Sequence, residues 1–141
     1  MGDSTAAGTF TSRDPIRARR VLVVDDDAAI RRLIRRALST DGIEVDVACE
    51  GYEGLRLAHA TAYDVILLDL QMPDLGGMAI LPRLLWARPD QAVVIFSCRS
   101  DPATQRECLS AGARAFLAKP FSLADLSMSI SDAFAGARGV A

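Results

Sequence analysis

The sequence predicts an α/β fold, a doubly wound five-stranded parallel sheet with helices on both faces. Short apolar runs alternate five times with segments of helical periodicity, and each run but the second stops at a charged or hydroxyl residue. Strands that alternate with helices favour a parallel sheet with right-handed crossovers. The length of 141 residues, 50% of them hydrophobic, suits a single domain with a substantial core.

The first two repeats follow from apolar patterning. Residues 21–24 form an apolar run that ends at three aspartates, which is typical of a strand buried on both faces. A helix follows, and Asp41-Gly42 ends it. Its apolar face is predicted to consist of Ile30, Leu33, Ile34, Ala37 and Leu38. A second strand is predicted over 44–48 and a second helix over 52–60.

The third and fourth strands are equally apolar. Residues 63–68 form the third strand, which stops at Asp69. The helix over about 77–87 contains Pro82, which predicts a kink or a shortened first turn. The fourth strand, over 92–96, ends at Ser97.

The last two helices have recognisable start signals. Asp101-Pro102 is a helix cap followed by a first-turn proline, and it predicts a short fourth helix over about 103–111. The fifth strand, over 115–118, ends at Lys119. A capping box then begins the last helix. The box consists of Ser122 and Asp125, and the apolar residues of the helix are Leu123, Leu126, Ile130 and Phe134.

Composition narrows the class of protein. The formal net charge of −2 provides no overall basic field for nucleic acid, and the three cysteines lack the spacing of a zinc site or a disulfide framework. No apolar run approaches the roughly 20 residues that span a membrane. We therefore expect a reduced, cytoplasmic chain without direct nucleic-acid or membrane contact. Arginines flank the first strand, and they are interpreted as a solvated helix face and tail: Arg13, Arg17, Arg19, Arg20, Arg31, Arg32, Arg35 and Arg36.

Four of the five predicted strands end next to a polar residue with chemical potential. In doubly wound folds the carboxyl edge of the sheet holds the ligand crevice. The residues at this edge are Asp25, Asp26 and Asp27 after the first strand, Asp69 after the third, Ser97 after the fourth and Lys119 after the fifth.

These residue types together indicate phosphoryl chemistry at a Mg²⁺ site. Carboxylates held close together repel one another, and a divalent cation removes that repulsion. Carboxylates and water are the ligands that Mg²⁺ prefers. A lysine and a hydroxyl suit the oxygens of an incoming phosphoryl group, and an aspartate can itself be the nucleophile.

From about residue 19 to 135 the chain resembles the receiver domain of two-component response regulators. The matching stretches are VLVVDDD (21–27), DVILLDLQMPDLGG (64–77), VVIFSCRSD (93–101) and AGARAFLAKPF (111–121). The resemblance implies the flavodoxin-like (βα)5 fold with strand order 2-1-3-4-5. Residues 1–18 are expected to be a flexible N-terminal tail and residues 136–141 a C-terminal tail. The chain is expected to be either a single-domain regulator of the chemotaxis type or the receiver part of a longer protein.

The resemblance also implies roles for individual residues. Asp69 accepts a phosphoryl group from a phosphohistidine on a histidine kinase or phosphotransfer protein. Ser97 and Lys119 hold the phosphoryl oxygens, and Phe116 is an aromatic switch. The implied Mg²⁺ ligands are Asp26, Asp69 and the backbone carbonyl of Gln71, with Asp25 acting through water.

The expected response is a change of surface. A phosphoryl group on Asp69 draws the Ser97 hydroxyl toward it, and the Phe116 ring moves into the vacated space. The fourth helix, fifth strand and fifth helix then present an altered surface to a downstream protein or to a second copy of the chain. Asp27, Ser97 and Pro82 depart from the usual family pattern.

Three alternatives are weighed against this assignment. A haloacid-dehalogenase-type phosphohydrolase fits Asp25-x-Asp27, but such enzymes need a further acidic pair after the lysine and usually a cap domain. Here only Asp125 and Asp132 follow, both in a predicted helix. The complete set of acids and lysine argues against a pseudo-receiver that binds partners without phosphorylation. A dinucleotide-binding domain is disfavoured because no G-x-G-x-x-G follows the first strand.

Overall fold

The computed structural model of the chain describes residues 18–137. Within this range five strands alternate with five helices. The strands are β1 Arg20–Val24, β2 Glu44–Ala48, β3 Val65–Asp69, β4 Ala92–Ser97 and β5 Ala115–Ala118. The helices are α1 Ala28–Thr40, α2 Gly51–Ala60, α3 Gly77–Ala87, α4 Pro102–Ser110 and α5 Leu123–Ala137.

The five strands form one sheet in the order β2-β1-β3-β4-β5, and every neighbouring pair is parallel. This confirms the predicted fold class and strand order. The register pairs Val24 with both Ala48 and Leu68, and Ser97 with Ala118. The carboxyl ends of the strands therefore meet along one edge.

Two apolar layers cover the sheet, because alternate strand residues point to opposite faces. Val21 and Val23 pack toward α1 and α5, whereas Leu22 and Val24 pack toward α2, α3 and α4. All four residues are essentially inaccessible to solvent. Strands buried on both faces explain why β1, β3 and β4 read as continuous apolar runs.

Two leucines of the predicted helices are exposed: Leu33, predicted on the apolar face of the first helix, and Leu123, one of the apolar residues of the last helix. Leu33 is 42% exposed, because the buried stripe of α1 is narrow and centres on Ile34 and Leu38. Leu123 is 51% exposed, because it is the first residue of α5 and precedes the turn that reaches the sheet at Leu126. A period of three to four residues identifies a helix but not the width of its buried face.

Pro82 was expected either to kink α3 or to shorten its first turn. The helix begins at Gly77, so the first turn is not shortened. Pro82 is exposed on the outer side of the helix, and its missing N–H removes one bond to the carbonyl of Met78. The same helix carries Trp86, whose side chain is 88% exposed.

Element boundaries differ slightly from those predicted. β3 begins at Val65, two residues later than expected, although Tyr63 is buried and donates a hydrogen bond from its hydroxyl to Asp46 Oδ2 at 2.6 Å. α4 begins at Pro102 and ends one residue early. α5 extends to Ala137, so part of the segment predicted as a C-terminal tail is helical. The predicted N-terminal tail, except its last residue, lies outside the described residues.

Predicted helix caps are confirmed. The side chain of Asp101 accepts from the Thr104 amide at 3.1 Å, and the Ser122 hydroxyl accepts from the Asp125 amide at 3.0 Å. Gly42 has a φ of +78°, the left-handed conformation that ends α1. No helix among residues 18–137 is long and apolar enough to cross a lipid bilayer.

Two leucines of α5 provide a test of this packing. We expect Leu126→Ala to lower the free energy of unfolding by about 2–5 kcal/mol, because it leaves a cavity at a fully buried position. The matched control, Leu123→Ala, should cost less than about 1 kcal/mol because its side chain already contacts water. Urea denaturation followed by circular dichroism measures both values. Equal losses would contradict the assigned buried face.

Candidate functional site

The polar residues predicted at the strand ends meet at the carboxyl edge of the sheet. Asp25 follows β1, Asp69 ends β3, Ser97 ends β4 and Lys119 follows β5. Asp25 and Ser97 are fully buried, and Asp69 is only 5% exposed. A buried polar group requires partners to offset the loss of water, so the contacts of these residues define the site.

Three carboxylates form the acidic part of the site. Asp25, Asp26 and Asp69 each offer a carboxylate oxygen, and these oxygens all lie within 4.8 Å of one another. Asp26 is exposed and lies on the solvent side of the cluster. Asp25 Oδ1 accepts a hydrogen bond from the amide of Asp27 at 2.9 Å, which holds the turn between β1 and α1.

Asp27 itself belongs to the helix and not to the acidic cluster. Its carboxylate accepts hydrogen bonds from the amides of Ala29 and Ile30 at 2.9 and 3.4 Å. It is therefore the cap of α1, as an acidic residue at a helix N-terminus should be. The D-x-D arrangement of the hydrolase alternative requires a second carboxylate at the site, and Asp27 is engaged elsewhere.

Lys119 supplies the positive charge of the site. Its Nζ lies 2.9 Å from Asp25 Oδ2 and 3.5 Å from Asp69 Oδ1. The same ammonium lies 4.6 Å from the centroid of the Phe96 ring. The Lys119 side chain thus bridges the two buried carboxylates.

The charges change the protonation chemistry of both partners. Burial, reinforced by the negative charge of Asp25, raises the pKa of Asp69 to about 6 from its ordinary 3.8, although Lys119 opposes this shift. Burial alone lowers the pKa of Lys119, but its hydrogen bond to Asp25 and the two carboxylate charges outweigh burial and raise it. Lys119 is consequently a stable cation at neutral pH.

The segment after Asp69 leads away from the sheet. Gln71 is exposed, and its amide lies 3.4 Å from Asp69 Oδ1, a long hydrogen bond. The amide of Gly77 donates to the carbonyl of Leu70 at 3.0 Å, which closes the segment into a loop before α3. We call residues 70–76 the Asp69 loop.

Ser97 and Phe116 lie on neighbouring strands at different depths. Ser97 Oγ accepts a hydrogen bond from the Arg99 amide at 3.0 Å. Phe116 is half-buried and pairs in register with Ile95, two residues before the edge. Its ring packs against the core layer beneath α2, α3 and α4. Ser97 thus lies at the site, whereas Phe116 lies beside it.

Two supporting residues were not identified from the sequence. The sequence predicts that Arg31 belongs to a solvated helix face, but its Nη1 donates to the carbonyl of Asp25 at 2.8 Å. The sequence signal for this contact is the position of Arg31 one helical turn after Asp27, which places it near the end of β1. Asp74 accepts hydrogen bonds from the amides of Gly51 and Tyr52 at the start of α2. No local pattern shows that contact, because its partners lie more than twenty residues away.

The donor set fits a divalent cation that prefers oxygen ligands. Three carboxylates converge, two of them buried, and burial together with the negative charge of Asp25 raises the pKa of Asp69 more than Lys119 lowers it. A small divalent cation such as Mg²⁺ is held in proteins by one or two carboxylates together with water. The exposed position of Asp26 leaves room for that water.

Comparison with known proteins identifies similar domains. The family model of the response regulator receiver domain matches residues 21–131. Response regulator MprA from Mycolicibacterium vanbaalenii is 37% identical over 107 residues, which cover 76% of this chain and 46% of that protein. The chain therefore spans slightly less than half the length of the curated relatives it matches.

Solved structures agree with this result. A receiver domain protein from Clostridium thermocellum is 33% identical, with a TM-score of 0.80 over 87% of this chain and 99% of that one. A CheY-like receiver domain protein from Methanospirillum hungatei is 27% identical, with a TM-score of 0.84 over 89% of this chain and 100% of that one. Both similarities extend over nearly the whole described fold.

The raised pKa of Asp69 predicts how stability depends on pH. The folded protein binds the Asp69 proton more tightly than the unfolded chain does. This proton therefore adds to the free energy of unfolding, fully below about pH 4, and the added stability is lost as the pH rises through about 6. Asp69→Asn should therefore be more stable than the wild type above pH 6, by on the order of 2 kcal/mol. The difference should vanish toward pH 4.

Urea unfolding in a chelator at several pH values measures this difference. Asp26→Asn is the matched control, because Asp26 belongs to the same cluster but is exposed. A stability gain in Asp69→Asn that is the same at pH 4 and pH 8 would contradict the assigned electrostatics.

Proposed function

The chain belongs to the family of response regulator receiver domains of two-component systems, and we propose that Asp69 is its phosphoacceptor. The observation that carries the proposal is the position of the Asp69 carboxylate. It is buried at the strand edge, within 4.8 Å of two other carboxylates and 3.5 Å from the Lys119 ammonium. A carboxylate that attacks phosphorus needs positive charge nearby. The carboxylate cluster can hold a cation, and Lys119 supplies a fixed positive charge.

The proposed Mg²⁺ ligands are the carboxylates of Asp26 and Asp69 and the backbone carbonyl of Gln71. Asp25, already held by the Asp27 amide and Lys119, acts through water. When bound, the metal neutralises charge on the phosphoryl oxygens. The protein orients the Asp69 carboxylate and buries it, whereas Asp26 and Gln71 are exposed beside it.

The transfer itself is a displacement at phosphorus. An oxygen of Asp69 attacks the phosphorus of a phosphohistidine, the P–N bond breaks, and the histidine nitrogen leaves with the electron pair. Lys119 contacts one phosphoryl oxygen as a point charge, and the Ser97 hydroxyl donates a hydrogen bond to another. Both residues already lie at this edge of the sheet.

The proposed donor is a histidine kinase or a histidine phosphotransfer protein in the cytoplasm. Because the chain spans less than half the length of MprA, the output of the whole protein is a separate proposal. We propose that the surface formed by α4, β5 and α5 binds a downstream protein or a second copy of the chain. Direct contact with nucleic acid or membrane is not part of this role.

Phosphorylation with a small donor tests the proposal. With Mg²⁺ and acetyl phosphate, the wild type should gain a phosphoryl group by intact mass, and peptide mapping should locate it on Asp69. Asp69→Asn should remove the label, because an amide is not a nucleophile for this reaction. Asp25→Asn should slow labelling without moving it. Loss of the label in Asp25→Asn, with persistence in Asp69→Asn, would favour the hydrolase alternative.

The proposed switch depends on the neighbouring strands β4 and β5. A phosphoryl group on Asp69 draws the Ser97 hydroxyl by a charge-assisted hydrogen bond, typically worth about 1.5–3 kcal/mol. The Phe116 ring then turns into the vacated space. Phe116 carries no hydroxyl, so packing alone decides between the two positions. α4 is suited to move because few of its residues are buried, chiefly Thr104 and Cys108.

Beryllofluoride, a phosphoryl mimic, tests the switch. We expect its binding to shift the amide resonances of Ser97, residues 98–111 and Phe116, because the two states differ there. Ser97→Ala should bind the mimic but lose the shift at Phe116. Unchanged resonances at these positions, while Asp69 is occupied, would exclude the switch and leave the phosphoacceptor assignment intact.

A further inference from the structure

We infer that Asp74 is a positioning residue for the phosphoacceptor site, because its carboxylate fastens the Asp69 loop to the first turn of α2. The inference rests on the proposed function in one respect: it assumes that the Gln71 carbonyl is a metal ligand. Asp74 touches neither the metal nor the phosphoryl group, and it acts through the backbone of the loop.

The contacts of Asp74 are specific. Its Oδ1 accepts from the Gly51 amide at 3.0 Å, and its Oδ2 accepts from the Tyr52 amide at 3.1 Å. These amides begin α2, whose own cap residue, Glu50, makes no side-chain capping bond. Although slight burial opposes the shift, these hydrogen bonds lower the pKa of Asp74. The carboxylate therefore caps α2 from a different loop.

The backbones on either side of this contact are close. A Cβ at position 51 would lie 2.6 Å from the carbonyl oxygen of Leu75, a distance that no ordinary side chain tolerates. Glycine at position 51 thus lets the start of α2 lie directly on the loop. At the other end of the loop, a Cβ at Gly77 would lie 2.6 Å from the carbonyl oxygen of Asp69.

The geometry explains how Asp74 can affect the metal site. The ends of the loop are fixed by the sheet bond from the Leu70 amide to the Phe96 carbonyl, 3.3 Å, and by the Gly77–Leu70 bond. Between those ends, the two bonds of Asp74 tie the loop to α2. Without them, Gln71 has one long contact to Asp69, and its carbonyl oxygen is free to turn away. Outer residues that orient ligands commonly change metal affinity by 10- to 100-fold.

Metal binding in the full chain tests the role, with Mn²⁺ as a paramagnetic probe that shares the oxygen preference of Mg²⁺. Asp74→Ala should raise the Mn²⁺ dissociation constant by about 10-fold. Asp74→Asn should show a smaller rise, because its amide oxygen can still accept from one N–H. The Mg²⁺ concentration for half-maximal labelling by acetyl phosphate should rise in proportion, whereas labelling at saturating Mg²⁺ should be largely retained.

Asp101→Ala is the matched control. Asp101 caps α4 through the Thr104 amide at 3.1 Å, so this variant also loses a carboxylate cap but leaves the Asp69 loop untouched. It should bind Mn²⁺ as the wild type does. An unchanged Mn²⁺ affinity in folded Asp74→Ala, or an equal loss in Asp101→Ala, would overturn the positioning role.

Amide exchange in the metal-free protein separates the two proposals. We expect faster exchange at Gln71 and Gly51 in Asp74→Ala and not in Asp101→Ala. A wild type that binds no Mn²⁺ and takes no label on Asp69 would refute the proposed function. In that case the positioning role fails as well, and the exchange shows only whether Asp74 fastens the Asp69 loop to α2. A wild type that binds Mn²⁺ and takes the label, together with an unchanged Asp74→Ala, would refute the positioning role alone.

Discussion

The bridge from Lys119 to two buried carboxylates is the interaction on which the rest of the site depends. Asp25 and Asp69 lie on adjacent strands, so their charges are close, whereas Lys119 starts two strands away from β3. Neighbouring strands are about 4.8 Å apart, so the long lysine side chain has to reach across β4, where its ammonium lies over the Phe96 ring. Strand order 2-1-3-4-5 thus brings two carboxylates that repel each other close together. Lys119, at the end of β5, supplies the positive charge that offsets the cost of burying them.

The packing around this site is uneven, and the difference suits a signalling domain. β1, β3 and β4 are buried on both faces and hold the carboxylates and Ser97 rigidly. α3 buries four residues against the sheet, whereas α4 buries Thr104 and Cys108. A helix with few apolar anchors needs less free energy to shift than one with many. A negative charge added at the carboxyl edge of the sheet therefore lies close to a helix, α4, that can shift at a small cost in free energy.

Much of this architecture could be predicted from the sequence because it depends on local patterns. Apolar runs located the strands, and the polar residue after each of four strands located the site. The errors arose where distant partners decide the outcome. The exposure of Leu33 depends on how α1 lies on the sheet. The bond from Arg31 to Asp25 and the cap that Asp74 provides for α2 depend on tertiary contacts that no periodicity records.

The exposed indole of Trp86 has a practical consequence for optical work on this domain. It is the single tryptophan of the chain, and at 88% exposure it is already surrounded by water in the folded state. Unfolding changes the surroundings of such a ring very little, so tryptophan fluorescence is a poor reporter of stability here. A blue shift in its emission instead indicates that another molecule has covered the outer face of α3, which makes Trp86 a built-in reporter of association.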